Sequence, residues 1–305
     1  MNTLSYKKFS GAIVLLISVI ILGLAGWNLD VVLRAVHSYQ NGTLTMEKLR
    51  LDIASYNIGQ PIPPIPDNAR ISILDGMIQI YVPAGEFIMG TGDESDGGHN
   101  SPSHIVYLDS YWFDRVEVTN SMYLKCIRTG KCTTPATDNV LYDKWAYRNH
   151  PIVYVTWFQA DEYCQWAGRR LPTEAEWEKV ARGTDGRMYP WGDIFPNPRL
   201  ANFDLTMIHE SVPSYRYPMG VSPYGALNLA GNVREWVADW FDPKYYTNSP
   251  HSNPQGPLTG FERSLRSASY NEDRREIAVY QRYKHEPLSP GLSRGFRCAQ
   301  DAEPE

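Results

Sequence analysis

The sequence predicts an α+β domain with little regular secondary structure, preceded by one N-terminal transmembrane helix. Three observations carry this expectation. Helical segments with polar caps are set among short apolar strands. The chain holds 23 Gly, 22 Pro and 12% aromatic residues, a composition that favours long loops held by aromatic packing. One early run, residues 9–27, passes 19 positions without a charge, enough to span a bilayer as a helix. At 305 residues the remainder can bury a full core.

Taken in order, residues 1–8 carry Lys7 and Lys8 and are expected to stay on the inner side of the membrane. Residues 9–27 are then a signal anchor, single-pass, with the following domain extracytoplasmic (extracellular or periplasmic). Gly23-Leu24-Ala25 offers the small residues of a cleavable signal peptide, but the uninterrupted apolar length favours an uncleaved anchor. Residues 28–60 read as a helical stalk interrupted by the turn signal Asn41-Gly42. Residues 61–70 include Pro61, Pro63, Pro64 and Pro66, a stiff spacer because proline fixes φ and donates no hydrogen bond. The folded domain is expected over 71–300, with a tail at 301–305.

Within the domain, residues 77–82 and 86–89 predict strands joined by a turn at Pro83-Ala84-Gly85, and 105–108 predict a third. Thr119 can cap a helix that runs to Arg128. Thr156 can cap a second helix over 158–167, and Gly168 supplies the left-handed residue that ends it. Thr173-Glu174-Ala175-Glu176 is a capping box, in which the Thr and Glu side chains each satisfy the other's free backbone N–H. Residues 183–225 carry turn signals. Short strands return at 263–269 and 295–299.

A formal net charge of −5 argues against nucleic acid, which needs a concentrated basic surface. Four cysteines in an exported chain imply two disulfides, and sequence alone allows three pairings. Cys126 and Cys132 enclose a short segment that Gly130 can turn; Cys164 and Cys298 would then tie the middle of the domain to its end.

Several segments together resemble the formylglycine-generating enzyme family, the sulfatase-modifying factors. They are Pro83-Ala84-Gly85-Glu86-Phe87-Ile88-Met89-Gly90, Glu117-Val118-Thr119-Asn120, Leu171-Pro172-Thr173-Glu174-Ala175-Glu176-Trp177-Glu178, Tyr189-Pro190-Trp191-Gly192, Gly231-Asn232-Val233-Arg234-Glu235-Trp236 and Gly295-Phe296-Arg297-Cys298. They fall in family order. The resemblance implies the family's fold, related to C-type lectins, and supports a structural Cys164–Cys298 disulfide.

Family enzymes oxidise a substrate cysteine to an aldehyde with O₂ and a copper ion held by two thiolates, and soft sulfur ligands select Cu(I). The matching positions here are Glu272 and Ile277. Neither is a soft ligand, so copper is not expected and no catalytic residue is assigned. The usual glycine pair is Ser267-Ala268, and a usual tryptophan is Arg234. The resemblance also implies structural calcium at Asn228, Leu229, Gly231, Val233 and Glu235, and more weakly at Asn202, Phe203 and Asp204; a hard cation demands such oxygen donors.

Arg234, Arg274, Arg275, Tyr280, Arg282, Tyr283 and Lys284 form a candidate partner face, because Tyr and Arg anchor interfaces. The leading reading is a membrane-anchored, non-catalytic relative that binds or assembles another membrane or envelope protein. The alternatives are a formylglycine-forming oxidase with an atypical site, and a carbohydrate-binding lectin-like module, the last by fold analogy alone.

Overall fold

The computed structural model describes residues 65–92, 98–136 and 141–303. The apolar run at 9–27, the stalk and residues 61–64 of the proline-rich spacer lie outside these residues. Among the described residues no helix is long and apolar enough to cross a membrane.

The domain is built on three small sheets. Strands β1 (Arg70–Ile71), β2 (Ile78–Val82), β5 (Tyr111–Asp114) and β10 (Ala299–Asp301) form the first, in the order β1-β2-β5-β10, so the two ends of the domain meet in one sheet. β3 (Gly85–Met89) and β4 (His104–Leu108) pair as a ribbon. β6 (Arg234–Trp240), β7 (Arg263–Arg266), β8 (Tyr283–His285) and β9 (Arg294–Phe296) form the third, ordered β8-β7-β6-β9 with β9 parallel to β6. Two apolar clusters fill the space between layers, one centred on Trp177 and Phe113, the other on Trp236 and Tyr163.

Among the described residues three α-helices accompany these sheets. Helix α1 (Asn120–Arg128) starts at Thr119, whose hydroxyl accepts from the Met122 N–H. Helix α2 (Trp157–Trp166) starts at Thr156 in a capping box with Gln159. Gly168 follows at φ 72°. Helix α3 (Glu174–Arg182) starts at Thr173 in the expected box with Glu176. These starts are local chemistry, which is why the sequence predicts them.

The central strand β6 was not among the expected elements. Its sequence, Arg-Glu-Trp-Val-Ala-Asp-Trp, buries Glu235 and Asp239, and charges inside a strand hide the apolar signal. The Glu235 charge is matched from afar. Arg297 grips Glu235 through two nitrogens, each at 2.7 Å. Nearby, Glu174 on α3 binds Arg266 and Arg282, and Glu178 binds Arg266 and Arg182. Ion pairs of this kind stabilise only as complete sets, because an uncompensated buried charge costs several kcal/mol.

Among the described residues Asp239 makes no ion pair; its carboxyl group accepts from the Glu174 N–H at 2.8 Å. Burial, and then the Glu174 charge beside it, push its carboxyl up to about 8. A carboxyl raised in the folded state contributes stability that is fully present below its unfolded pKa of about 4 and is lost as pH rises through its folded pKa. The melting temperature is therefore expected to fall between about pH 4 and about pH 8. Asp239→Asn, which keeps the acceptor, flattens that limb by up to about 1.4 kcal/mol per pH unit. Thermal unfolding of both proteins from about pH 4 to about pH 8 checks this, and an equal slope in the variant would rule it out.

Candidate functional site

The site is built where β7 gives way to the loop that runs to β8. The backbone turns at Ser267, a non-glycine residue held at φ 63°, and the Ser267 hydroxyl donates to the Gly231 carbonyl at 3.2 Å. Gly231 itself sits at φ 83°, and a β-carbon there would come within 2.1 Å of the Asn202 carbonyl oxygen. Only glycine allows this approach. The two turns bring residues 269–272 beside the first residue of β6.

Glu272 and Arg234 meet there. Arg234 Nη2 donates to Glu272 Oε1 at 2.5 Å. The other carboxylate oxygen accepts from the Ser269 N–H at 2.5 Å and from the Ser269 hydroxyl. The Arg234 guanidinium lies 4.1 Å over the Tyr283 ring. The two charged side chains are 25% and 14% exposed, so the pair is open at the surface but anchored beneath. Two of the positions at which the chain departs from the family pattern thus neutralise each other. A carboxylate paired with a guanidinium, and held by a serine, offers nothing to Cu(I).

Ile277 is buried in the first core cluster, 1% exposed. The chain has four cysteines, and they form the disulfides Cys126–Cys132 and Cys164–Cys298. No thiol of this chain is left to make a two-thiolate site.

The first residue set considered for calcium is a hydrogen-bonded frame in which Arg297 supplies the positive charge. Glu235 binds Arg297 through both oxygens, and one of them also accepts from Trp177 Nε1 at 2.7 Å. Asn228 is turned to donate, to Glu117 at 3.3 Å and to the Ser214 carbonyl at 2.9 Å. The Gly231 carbonyl accepts from Ser267, and Leu229 and Val233 are buried in place. Glu117 also accepts from Asn232 at 2.8 Å; burial pushes its carboxyl up to about 7, against the pull of Arg297.

In the second set, Asn202 Oδ1 and the Phe203 carbonyl both accept from the Thr206 hydroxyl, and Asp204 Oδ1 is buried with no partner among the described residues. Calcium takes six to eight oxygens, and two of the side-chain donors named here, Glu235 and Asn202, already hold hydrogen bonds within the protein. Chelator and millimolar calcium are expected to leave the melting temperature alike within about 1 °C, since only a ligand of the folded state shifts it. A rise of several degrees with calcium would mean that these donors rearrange around the ion.

The expected partner face divides. Arg234 and Tyr283 meet. Arg274 and Arg275 are exposed nearby, Arg274 lying 4.9 Å from the Phe195 ring. Tyr280 is half-buried against the core. Arg282 is not on the face at all: its side chain is buried, and it binds Glu174 through two nitrogens at 2.8 and 2.9 Å. Lys284 follows the strand alternation to the other side of β8 and pairs with Glu262. Sequence reasoning missed Ser269, Arg294 and His285, which border the same surface. The only signal was that Arg294 immediately precedes the Gly295-Phe296-Arg297-Cys298 segment.

A separate cleft of about 970 Å³ opens near Tyr81, Asp109 and Asn253. Its one arginine, Arg170, is already matched by Glu176 and Asp301.

Comparison with known proteins matches residues 69–302 to the family described as the sulfatase-modifying factor enzyme 1-like domain. The formylglycine-generating enzyme of Streptomyces coelicolor is 35% identical over 74% of this chain and 90% of its own length. The serine/threonine-protein kinase pkn1 of Chlamydia caviae is 32% identical over 72% of this chain, which spans only 37% of the kinase. Among solved structures, PvdO from Pseudomonas aeruginosa superposes with a TM-score of 0.65 at 23% identity, over 79% of this chain and all of that one. That likeness concerns the fold.

Proposed function

This chain belongs to the sulfatase-modifying factor family, and we propose that it uses the family fold as a non-catalytic binding or assembly module, held at a membrane by its N-terminal apolar run. The observation that carries the proposal is the Arg234–Glu272 pair, seated on Ser269 and Tyr283 where a thiol-bearing site would otherwise lie. The pair leaves the surrounding framework intact: the capping box of α3, the Arg297–Glu235 grip and the Cys164–Cys298 disulfide are all present. A fold kept while its reactive groups are replaced by matched charges suits recognition. The match to a segment of a protein kinase supports a family domain that is also carried outside stand-alone oxidases.

The face around Arg234, Tyr283, Arg274 and Arg275 is the contact surface in this reading. Half-buried Tyr and Arg anchors give most of the energy of such contacts. The test is photo-crosslinking of the full-length chain in native membranes, with a probe at Arg275, followed by identification of the captured protein. One dominant partner is expected, lost when Tyr283→Ala and Arg234→Ala are combined in a protein that still melts cooperatively. Capture that survives the double variant would place the interface elsewhere.

A further inference from the structure

Strands β6 and β9 run parallel, with Arg234 opposite Arg294 in register. Two guanidiniums on paired positions repel, so something must offset them. Glu272 does this for Arg234. Arg294 has no carboxylate partner among the described residues; its one side-chain hydrogen bond goes from Nη2 to the Pro290 carbonyl at 2.5 Å. Its guanidinium is pressed against Gly291, where a β-carbon would come within 2.3 Å of it. The arginine is thus fixed in place but not neutralised. Burial, and then the Arg234 charge, lower its pKa.

Strand alternation puts Tyr283 and His285 of β8 on a common face with Leu265 of β7 and Trp236 of β6, the face on which Arg234 stacks on Tyr283. His285 feels Arg294: burial first, and then that charge, hold its imidazole below the usual range. Three nitrogens of this group, Arg234 Nε, Arg294 Nε and His285 Nδ1, are buried without a hydrogen-bond partner. An unsatisfied buried polar atom is costly, and three in one neighbourhood with unbalanced positive charge form a site lacking its acceptor.

We propose that Arg294, with Arg234 and His285, binds a carboxylate carried by the partner. The charge balance selects the class: Arg234 is matched by Glu272, Arg263 is held over the Trp157 and Trp240 rings, and the Arg294 guanidinium is left for the ligand, which suits a monoanionic carboxylate better than a phosphate dianion. Glu262, Glu276 and Glu286 lie toward the β8 side and add repulsion against a second negative charge. A planar carboxylate also matches the flat guanidinium fork. The inference rests on the reading that this face binds a partner, and it adds what the face recognises.

The test is NMR titration of the full-length chain, labelled with ¹⁵N-arginine in detergent micelles, following the Arg Nε–H signals. The probes are N-acetylglycine, which presents a C-terminal carboxylate, N-acetylglutamate α-amide, which presents a side-chain carboxylate, neutral N-acetylglycinamide and inorganic phosphate, all at matched ionic strength. Saturable shifts of Arg294 and Arg234 are expected with one or both carboxylates, and the stronger of the two names the source. Arg294→Gln should weaken binding at least tenfold, whereas Arg187→Gln, at an arginine paired with Asp185, should leave it unchanged. If Arg294→Gln does not fold, Arg294→Lys, which keeps the charge without the fork, should still weaken binding about fivefold or more.

No saturable shift with either carboxylate, equal binding in the Arg294 variant, or a response to phosphate alone would overturn the assignment. Because no partner is needed, partner capture with a silent titration removes this inference only. A positive titration in a protein that also forms aldehyde removes the non-catalytic reading only.

Discussion

Arg297→Leu is expected to lower the stability of the domain by about 3–5 kcal/mol, the cost of leaving a buried ion without its partner. At this size that corresponds to about 6–20 °C in melting temperature. Arg297 is fully buried and does four things at once. It grips Glu235 through two nitrogens, and it donates to the carbonyls of Leu227, Asp114 and Arg115 at 3.0–3.2 Å. It thereby ties the chain end to β6, to β5 and to the turn before Asn228. Removing it strands Glu235, whose remaining partner is Trp177. The double variant Arg297→Leu, Glu235→Leu should recover part of the loss, because both charges then leave together. Arg297→Lys should fall between, since an ammonium keeps the charge and loses the fork. Thermal and urea unfolding of the three proteins measure this, and a double variant no better than the single one would show that the pair is not what holds this corner.

The second large effect is expected from Cys164→Ala combined with Cys298→Ala. The two cysteines are 134 residues apart and fully buried, and they join α2 to the segment between β9 and β10. In the chain-entropy account a loop of that length is worth about 4–5 kcal/mol. The disulfide Cys126–Cys132 spans a separation of 6 and is worth about 2–3 kcal/mol by the same relation. Alanine at 126 and 132 should therefore cost markedly less than alanine at 164 and 298. Comparing the two double variants by urea unfolding decides it, and equal losses would mean that loop entropy is not the main contribution.

What the sequence made legible was local chemistry. Thr119, Thr156 and Thr173 announce three helix starts, because a cap and its partner lie within three residues. Short apolar strands such as β2 and β4 were visible for the same reason. β6 was not, since Glu235 and Asp239 look like surface residues until partners from other parts of the chain are in place. Arg282 failed in the opposite way. Set among Tyr280, Tyr283 and Lys284 it reads as part of a surface, but its partner, Glu174, lies 108 residues earlier. The Arg234–Glu272 pair joins positions 38 apart. In sequence both residues stand as departures from the family pattern on one face, and only the fold shows that the two compensate. Arg294 and His285 were missed because an unpaired basic residue is ordinary in sequence and informative only once its surroundings are known.

If matched charges stand where a thiol oxidase site would lie, the protein forms no aldehyde. An aldehyde assay on the full-length chain, supplied with Cu(I), O₂ and a cysteine-containing sulfatase-motif peptide, with copper retained on the protein measured in parallel, decides this. No aldehyde above the protein-free control, and no copper retained at the Arg234–Glu272 site, is the predicted result. Aldehyde that forms in proportion to the protein and disappears with Glu272→Ala would contradict it.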